Sequence, residues 1–504
     1  MLAFRAERFL GVVLRKILSL IGFAALGLAS PAEAIWHRAS SPHFVIYSEE
    51  NPAKLQAFAA KLERFDAAVR LSRGMKDPPV GDGNRLTVFV VKDVKAVERL
   101  KRGPDTGNAF GFYLPRASGA VAVVPRATPM RSDLQPDVVF QHEYAHHLMF
   151  ADMSTPIPAW LVEGFAEFYS TANVEADGSV GLGEAATHRK GTFQRNIATL
   201  PLSSLLSGDI RGGLDRLALY AQGWLLTHYL TFEPKRRGQL ETYLQEFAKG
   251  RSSISAAQMA FGNLRDLEQD LKEYLREEKF PYLTLPAERF KQANIEITTL
   301  GPGADAAMPF YMRLQTRVEG SPAENAAQAR SVAAANPNDF LAAMTLAEAE
   351  WVARNYKAAE AAADKAIALN PKSSEAHIWK GRALLSQAEA DTGGVTFANA
   401  RRWFNRANRL DPENPEPLLY FYRTFQGSGG RPTANAIAAL HYAAELAPQD
   451  LALRMQSARQ YLADGKLAEA RRMLTAVAFN PHGGRLSEEA QLLLQRIGGA
   501  AGRN

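Results

Sequence analysis

Asn336-Pro337, Asn370-Pro371, Asp411-Pro412, Ala447-Pro448 and Asn480-Pro481 recur at intervals of 34, 41, 36 and 33 residues. A period of that length in an alanine-rich stretch denotes helical hairpins stacked into a solenoid, because one hairpin cannot bury its own apolar face. Proline ends each unit, since its ring excludes the next helical turn. The clearest unit runs from Phe340 to Pro371, with Leu346 and Ala347 in its first helix and Tyr356, Ala359 and Ala366 in its second. The next fits through Gly381, Ala400, Phe404, Ala407 and Pro412, its extra residues falling between Ala390 and Thr396. Later units keep Ala436, Ala443 and Pro448, then Gly465 and Ala470. Ala323 to Ala335 reads as half a unit and Leu486 to Ile497 as a closing helix. Residues 321–500 are therefore predicted to be all-α.

The first half carries different chemistry. Within Asp133 to Phe150, whose apolar residues recur at helical spacing, stands His142-Glu143-Tyr144-Ala145-His146. In a helix, residues i and i+4 lie about 40° apart around the axis and about 6 Å apart along it, so both imidazoles reach one metal ion. Zinc suits such nitrogens at about 2.0–2.1 Å, and a catalytic site takes three protein ligands and leaves a position open. The chain has no cysteine, so the donors must be histidine and carboxylate. Prolines in Asp152 to Pro158 break the helix and let the chain return antiparallel through Ala159 to Tyr169, which brings Glu163 to the histidine pair. Glu167, one turn on, is placed to hold the second nitrogen of a ligating histidine. His147 points about 100° away from His146 and is read as a non-ligand. His188 and His228 lack a partner at short spacing and are read as ordinary residues.

His142 to His146 followed by Trp160-Leu-Val-Glu-Gly-Phe-Ala-Glu-Phe-Tyr169 resembles the gluzincin metallopeptidases, the superfamily of thermolysin and aminopeptidase N, and most of all the bacterial peptidase MA-like proteins. The likeness covers roughly Ile35 to Pro286. It implies a zincin-type α+β domain holding one Zn2+ on His142, His146 and Glu163, with Glu143 as general base for peptide hydrolysis. Leu219-Tyr220-Ala-Gln-Gly223-Trp224 is similar to the aminopeptidase stretch Tyr-x-x-Gly, which implies that Tyr220 hydrogen-bonds the oxyanion. The aminopeptidase element Gly-x-Met-x-Asn is missing, so endopeptidase action is expected. In these enzymes an edge strand pairs with the substrate, which implies that role for Gly111 to Leu114 or Gly119 to Val124. The alanine-rich units resemble tetratricopeptide repeats, which implies a protein or peptide partner on their concave face.

Arg5, Arg8, Arg15 and Lys16 precede the apolar run Ile17 to Ala29, and Ala32-Glu33-Ala34 supplies small residues at cleavage-site spacing. That pattern reads as a secretory signal peptide over 1–34, cut after Ala34, the alternative being a retained membrane anchor. Export, to a bacterial periplasm, is expected. The net charge of +6 falls to +4 without those residues and is scattered, which gives no reason to expect nucleic acid. The predicted plan is a signal peptide (1–34), a metallopeptidase domain (35–285), a linker (286–320) and a repeat domain (321–500). The function expected is a zinc endopeptidase whose repeats recruit protein. The alternative is a vestigial envelope scaffold or chaperone-like peptide binder.

Overall fold

Strand-forming residues flanked by helices build the first half as a mixed sheet. The computed structural model describes residues 35–101, 111–127, 135–152, 155–189, 192–193, 199–210, 212–277, 279–318, 320–391, 394–480 and 484–501. The expected signal peptide lies outside them. Among the described residues no helix is long and apolar enough to cross a membrane.

Strands β1 (His37–Ser40), β2 (Phe44–Ser48), β3 (Leu86–Val91), β4 (Phe112–Leu114) and β5 (Val121–Pro125) form most of the sheet. Its order is β4-β5-β3-β2-β1-β9, with β9 at Glu296–Thr299. β2, β3 and β5 run parallel, whereas β4 pairs antiparallel with β5. Because helices cover both faces, β2 and β5 are buried throughout rather than alternating. On one face Phe44, Ile46, Val88, Ala122 and Val124 pack against α1 (Pro52–Arg73) and α3 (Pro136–Asp152). Asn51 caps α1 by accepting from the Lys54 amide, and Gly74, at φ 63°, ends it. On the other face Tyr47, Phe89 and Val123 meet α2 (Val94–Leu100) and two methionines, Met308 and Met312.

Those methionines correct the predicted plan. The stretch expected as a linker, 286–320, supplies β9, which pairs with β1 from Glu296↔Ser40 to Thr299↔His37, and later a helix, Pro302–Thr316. Its apolar stripe covers the sheet. The half unit at 323–335 gains this helix as its partner.

After α3 the chain turns back as α4 (Ala159–Ser170), and α5 (Leu202–Ser207) and α6 (Gly213–Phe232) follow. A small antiparallel sheet joins β6 (Asn173–Val174), β7 (Val180–Leu182) and β8 (Leu283–Leu285). α4 and α6 cross at Gly164 and Gly223: a Cβ on Gly164 would collide with the Gly223 carbonyl, and one on Gly223 would lie 2.8 Å from the Trp160 carbonyl. Helices α7 (Gln239–Ala248), α8 (Ser253–Phe261) and α9 (Leu264–Tyr274) complete this half.

The second half is an array of helix pairs: α10 (Pro302–Thr316) with α11 (Pro322–Ala335), α12 (Phe340–Val352) with α13 (Tyr356–Leu369), and α14 (Ser374–Glu389) with α15 (Phe397–Leu410). Then come α16 (Pro415–Gly427) with α17 (Ala434–Leu446), α18 (Leu451–Ala463) with α19 (Leu467–Ala478), and the closing α20 (Arg485–Ala501). Ala359, Ala363, Ala366, Ala400, Ala407, Ala436 and Ala443 are buried where helices cross. From Trp36 onward the described residues form one compact unit. The turns that end the repeats also grip the first half: Asp411 accepts from the Gly83 amide (2.9 Å), Asp450 from the Ala117 amide (2.8 Å), and the Leu446 carbonyl from Asn84 (2.6 Å).

Candidate metal centre

Three side chains from two antiparallel helices meet beneath the sheet. α3 brings His142 and His146, one turn apart, and α4 brings Glu163. The two Nε2 atoms lie 3.2 Å apart, and Glu163 Oε2 lies 3.4 Å from each. Donors bound to one ion at about 2.05 Å with tetrahedral angles are about 3.3 Å from one another. The three separations therefore trace one face of a tetrahedron of the size zinc requires. Glu163 is 2% exposed, and no hydrogen bond of acceptable geometry reaches its buried Oε2. An orphaned carboxylate oxygen facing two imidazole nitrogens is what a cation would satisfy.

The electrostatics agree. Burial opposes charge on His142, yet Glu163 and Glu167 outweigh it and push the imidazole up to about 10. Burial likewise resists ionisation of Glu163, but His146 and His142 hold its carboxyl well below the usual range. The same field that retains a proton here attracts a metal cation in its place.

Glu167 is also buried, and its Oε1 lies 3.1 Å from His142 Nδ1. Two partners were not foreseen. His188 Nε2 lies 2.9 Å from Glu167 Oε2, and the Arg189 guanidinium donates to both carboxylate oxygens, Nε at 2.8 Å. Arg189, more than the imidazoles, keeps Glu167 ionised against its burial. His188, read from the sequence as ordinary, thus belongs to this network. It sits in a short 3-10 turn, Thr187–Arg189, with no periodic pattern to mark it; the one available signal was that a buried Glu167 needs a cation.

Tyr220, on α6, lies with its ring edge to His142 at 5.8 Å between centroids, and the Arg189 guanidinium covers it at 5.0 Å. Burial and the nearby Glu163 and Glu143 push its hydroxyl well up, so it stays a donor. Glu143 lies between the two histidines in sequence and is half-buried. His147 turns away as expected: its Nδ1 shares a 2.7 Å hydrogen bond with the Tyr113 hydroxyl, tying edge strand β4 to α3. His228 is buried, between the Gly183 carbonyl (2.8 Å) and Tyr274 (2.9 Å).

Among the described residues, His43, Asp66 and Asp77 form a second group with metal-like spacing. Both of its ring nitrogens already face carboxylates, Nδ1 to Glu63 at 2.7 Å and Nε2 to Asp77 at 2.9 Å, while Arg70 binds Asp66. That group is an ion network around an imidazolium and has no room in its donor set for a metal.

No family model matches the sequence, and no curated protein matches it. Solved structures that align with it include TTC0263, a tetratricopeptide protein of Thermus thermophilus, at 17% identity over 39% of this chain and 96% of that one, with a TM-score of 0.30. MamA from Desulfovibrio magneticus RS-1 aligns at 18% identity over 36% and 97%, with a TM-score of 0.28. PilW, a type IV pilus biogenesis factor, aligns at 20% identity over 40% and 84%, with a TM-score of 0.30. The second half of the chain is an array of antiparallel helix pairs.

Proposed function

We propose that the protein is a zinc-dependent peptidase, acting as an endopeptidase on polypeptide. The observation that carries the reading is the triangle of His142 Nε2, His146 Nε2 and Glu163 Oε2, with sides of 3.2, 3.4 and 3.4 Å. Zinc held there supplies Lewis acidity toward a carbonyl and acidifies water to near neutrality. The chain's own groups supply the rest. Glu143, adjoining His142, takes the proton of the attacking water and returns it to the leaving amine. Glu167 fixes His142 by accepting from Nδ1, so that Nε2 is the free donor atom. Tyr220 donates a hydrogen bond from its hydroxyl to the oxygen on which negative charge develops. The outer edge of β4, which pairs with no strand among the described residues, receives an extended substrate. The reading extends to an exported protein whose 1–34 segment is a cleaved signal.

A second reading, a scaffold or chaperone-like binder without hydrolysis, draws on the helical array and on the cavity that it encloses with the sheet. One experiment separates the two. The purified chain is expected to bind one zinc and cleave an unfolded protein, and Glu143→Gln to retain zinc while losing at least about 10³-fold in turnover. Stoichiometric zinc without cleavage of any polypeptide would leave the scaffold.

A further inference from the structure

Between the β4–β5 turn and the repeat array lies a cavity of about 800 Å³. The turn Arg116 to Gly119 forms one wall, and Glu375, Trp379, Arg382 and Arg423 of the repeats face it. The turn is held rigidly: Arg116 donates to the Gln315 carbonyl at 2.8 Å, and Gln315 in turn donates to Glu348 at 2.7 Å.

The turn also connects the cavity to the metal centre. β4, the outermost strand of the sheet among the described residues, is fastened to α3 by the Tyr113–His147 hydrogen bond. Ala117, on the cavity wall, follows Leu114 by three residues and so lies at most about 11 Å from it. A chain paired along the outer edge of β4 therefore reaches the cavity within about four residues of extended backbone.

Charge says what kind of chain would settle there. Arg85 is paired with Asp82 at 3.0 Å and Arg382 with Glu416 at 3.2 Å. Asp411 and Asp450 accept backbone amides, and Glu348 accepts from Gln315. Arg38, Arg317, Lys372 and Arg423 also line the space, and none makes an ion pair with a carboxylate among the described residues. The acid left over, Glu375, meets water in the cavity yet is ringed by protein. Enclosure by the cavity walls, reinforced by Glu348 and Glu416, pushes its carboxyl up. Counted whole, the lining holds seven cationic side chains against six carboxylates, so the surplus is small and cationic. Arg382, stacked 4.0 Å from Trp379 and 4.2 Å from Trp351, keeps a buried Nε with no acceptor.

We propose that this cavity is a distal binding site for an extended, acidic stretch of the polypeptide substrate, several residues beyond the bond to be cut. The assignment rests on the peptidase reading for its orientation, and its test is arranged so that the two can fail separately. Lys372 and Arg423 are exposed, and the one ring contact that the reversal gives up is that of Arg423 with Tyr420, 5.2 Å from the centroid. Zinc-loaded Glu143→Gln chain is titrated into fluorescein-labelled, reduced and carboxymethylated α-lactalbumin and followed by anisotropy. Adding Lys372→Glu and Arg423→Glu is expected to weaken binding about tenfold or more, and binding is expected to fall with rising salt. Equal or tighter binding by the charge-reversed chain would overturn the site. In chains that keep Glu143, the same reversal is expected to lower the ratio of kcat/KM for that protein over kcat/KM for a hexapeptide about tenfold. An unchanged ratio counts against the site. Absence of hydrolysis of both substrates by the unmodified chain would refute the peptidase reading, and the anisotropy result alone would then decide the cavity.

Discussion

At the scale of residues, the decisive atoms are carboxylate oxygens that cannot reach water. Glu163 and Glu167, four apart on α4, divide the work: one faces the two Nε2 atoms, the other holds His142 from behind. Their spacing made both legible, because i and i+4 share a helix face. His188 and Arg189 were not legible, since residues beyond a small sheet and two loops come back to Glu167 only through the tertiary fold. Removing the charge that orients His142 is expected to matter: Glu167→Gln should weaken zinc binding by about 10–100-fold in competition with a chelator. Undiminished affinity would reduce Glu167 to a partner of Arg189. The second carboxylate group makes a pH prediction. Burial would lower the His43 pKa, but Glu63, Asp66 and Asp77 prevail and raise it from 6.5 to about 9. A raised folded pKa stabilises the fold fully below 6.5, and the gain is lost as pH rises through 9. Urea unfolding of wild type against His43→Gln should thus show a gap of about 3 kcal/mol at pH 6 that closes by pH 10. A gap independent of pH would mean that the ring acts by packing alone.

At the scale of elements, helices were readable and their ends were not. Leu55, Leu62, Phe65 and Val69 share one face of α1 and are buried, with Phe58 partly so, and Gly164 permits the close crossing of α4 and α6. What no period could announce is how the metal helix is held at its far end. Arg454, on α18, donates from Nη2 to the Phe150 carbonyl at 2.8 Å and from Nε to the Pro448 carbonyl at 2.6 Å, and is itself buried. Phe150 also packs on Ala476 of α19 and stacks near His146, with centroids 6.2 Å apart. A cation at the carbonyl end of a helix opposes its dipole favourably. Arg454→Met is expected to lower stability by about 1–3 kcal/mol, since it strands two buried carbonyls. Urea unfolding monitored by circular dichroism checks this, and an unchanged midpoint would show that the contact carries no energy.

At the scale of the whole molecule, the stretch 286–320 reads as a linker in sequence because Pro286 and Leu300-Gly-Pro-Gly303 interrupt it, although the helix that follows carries an apolar stripe. Its strand β9 is mostly exposed and recognisable only through its partner β1. α10 serves both halves, covering Tyr47 and Phe89 with Met308 and Met312 and pairing with α11. A fragment of residues 35–285 should therefore lack the cover of one sheet face and fail to unfold cooperatively, whereas 35–501 should do so. A monomeric, cooperatively melting 35–285 fragment would show that the array is an accessory.

The pairing of His37 with Thr299 spans 262 positions. During synthesis the opening strand has to wait on one side until nearly three hundred residues have left the ribosome, and closing so long a loop is slow. The sheet-bearing half is in this sense finished by a piece of chain that comes after it, so a product cut short before residue 296 would hold every other strand of that sheet and lack the one that covers its β1 edge.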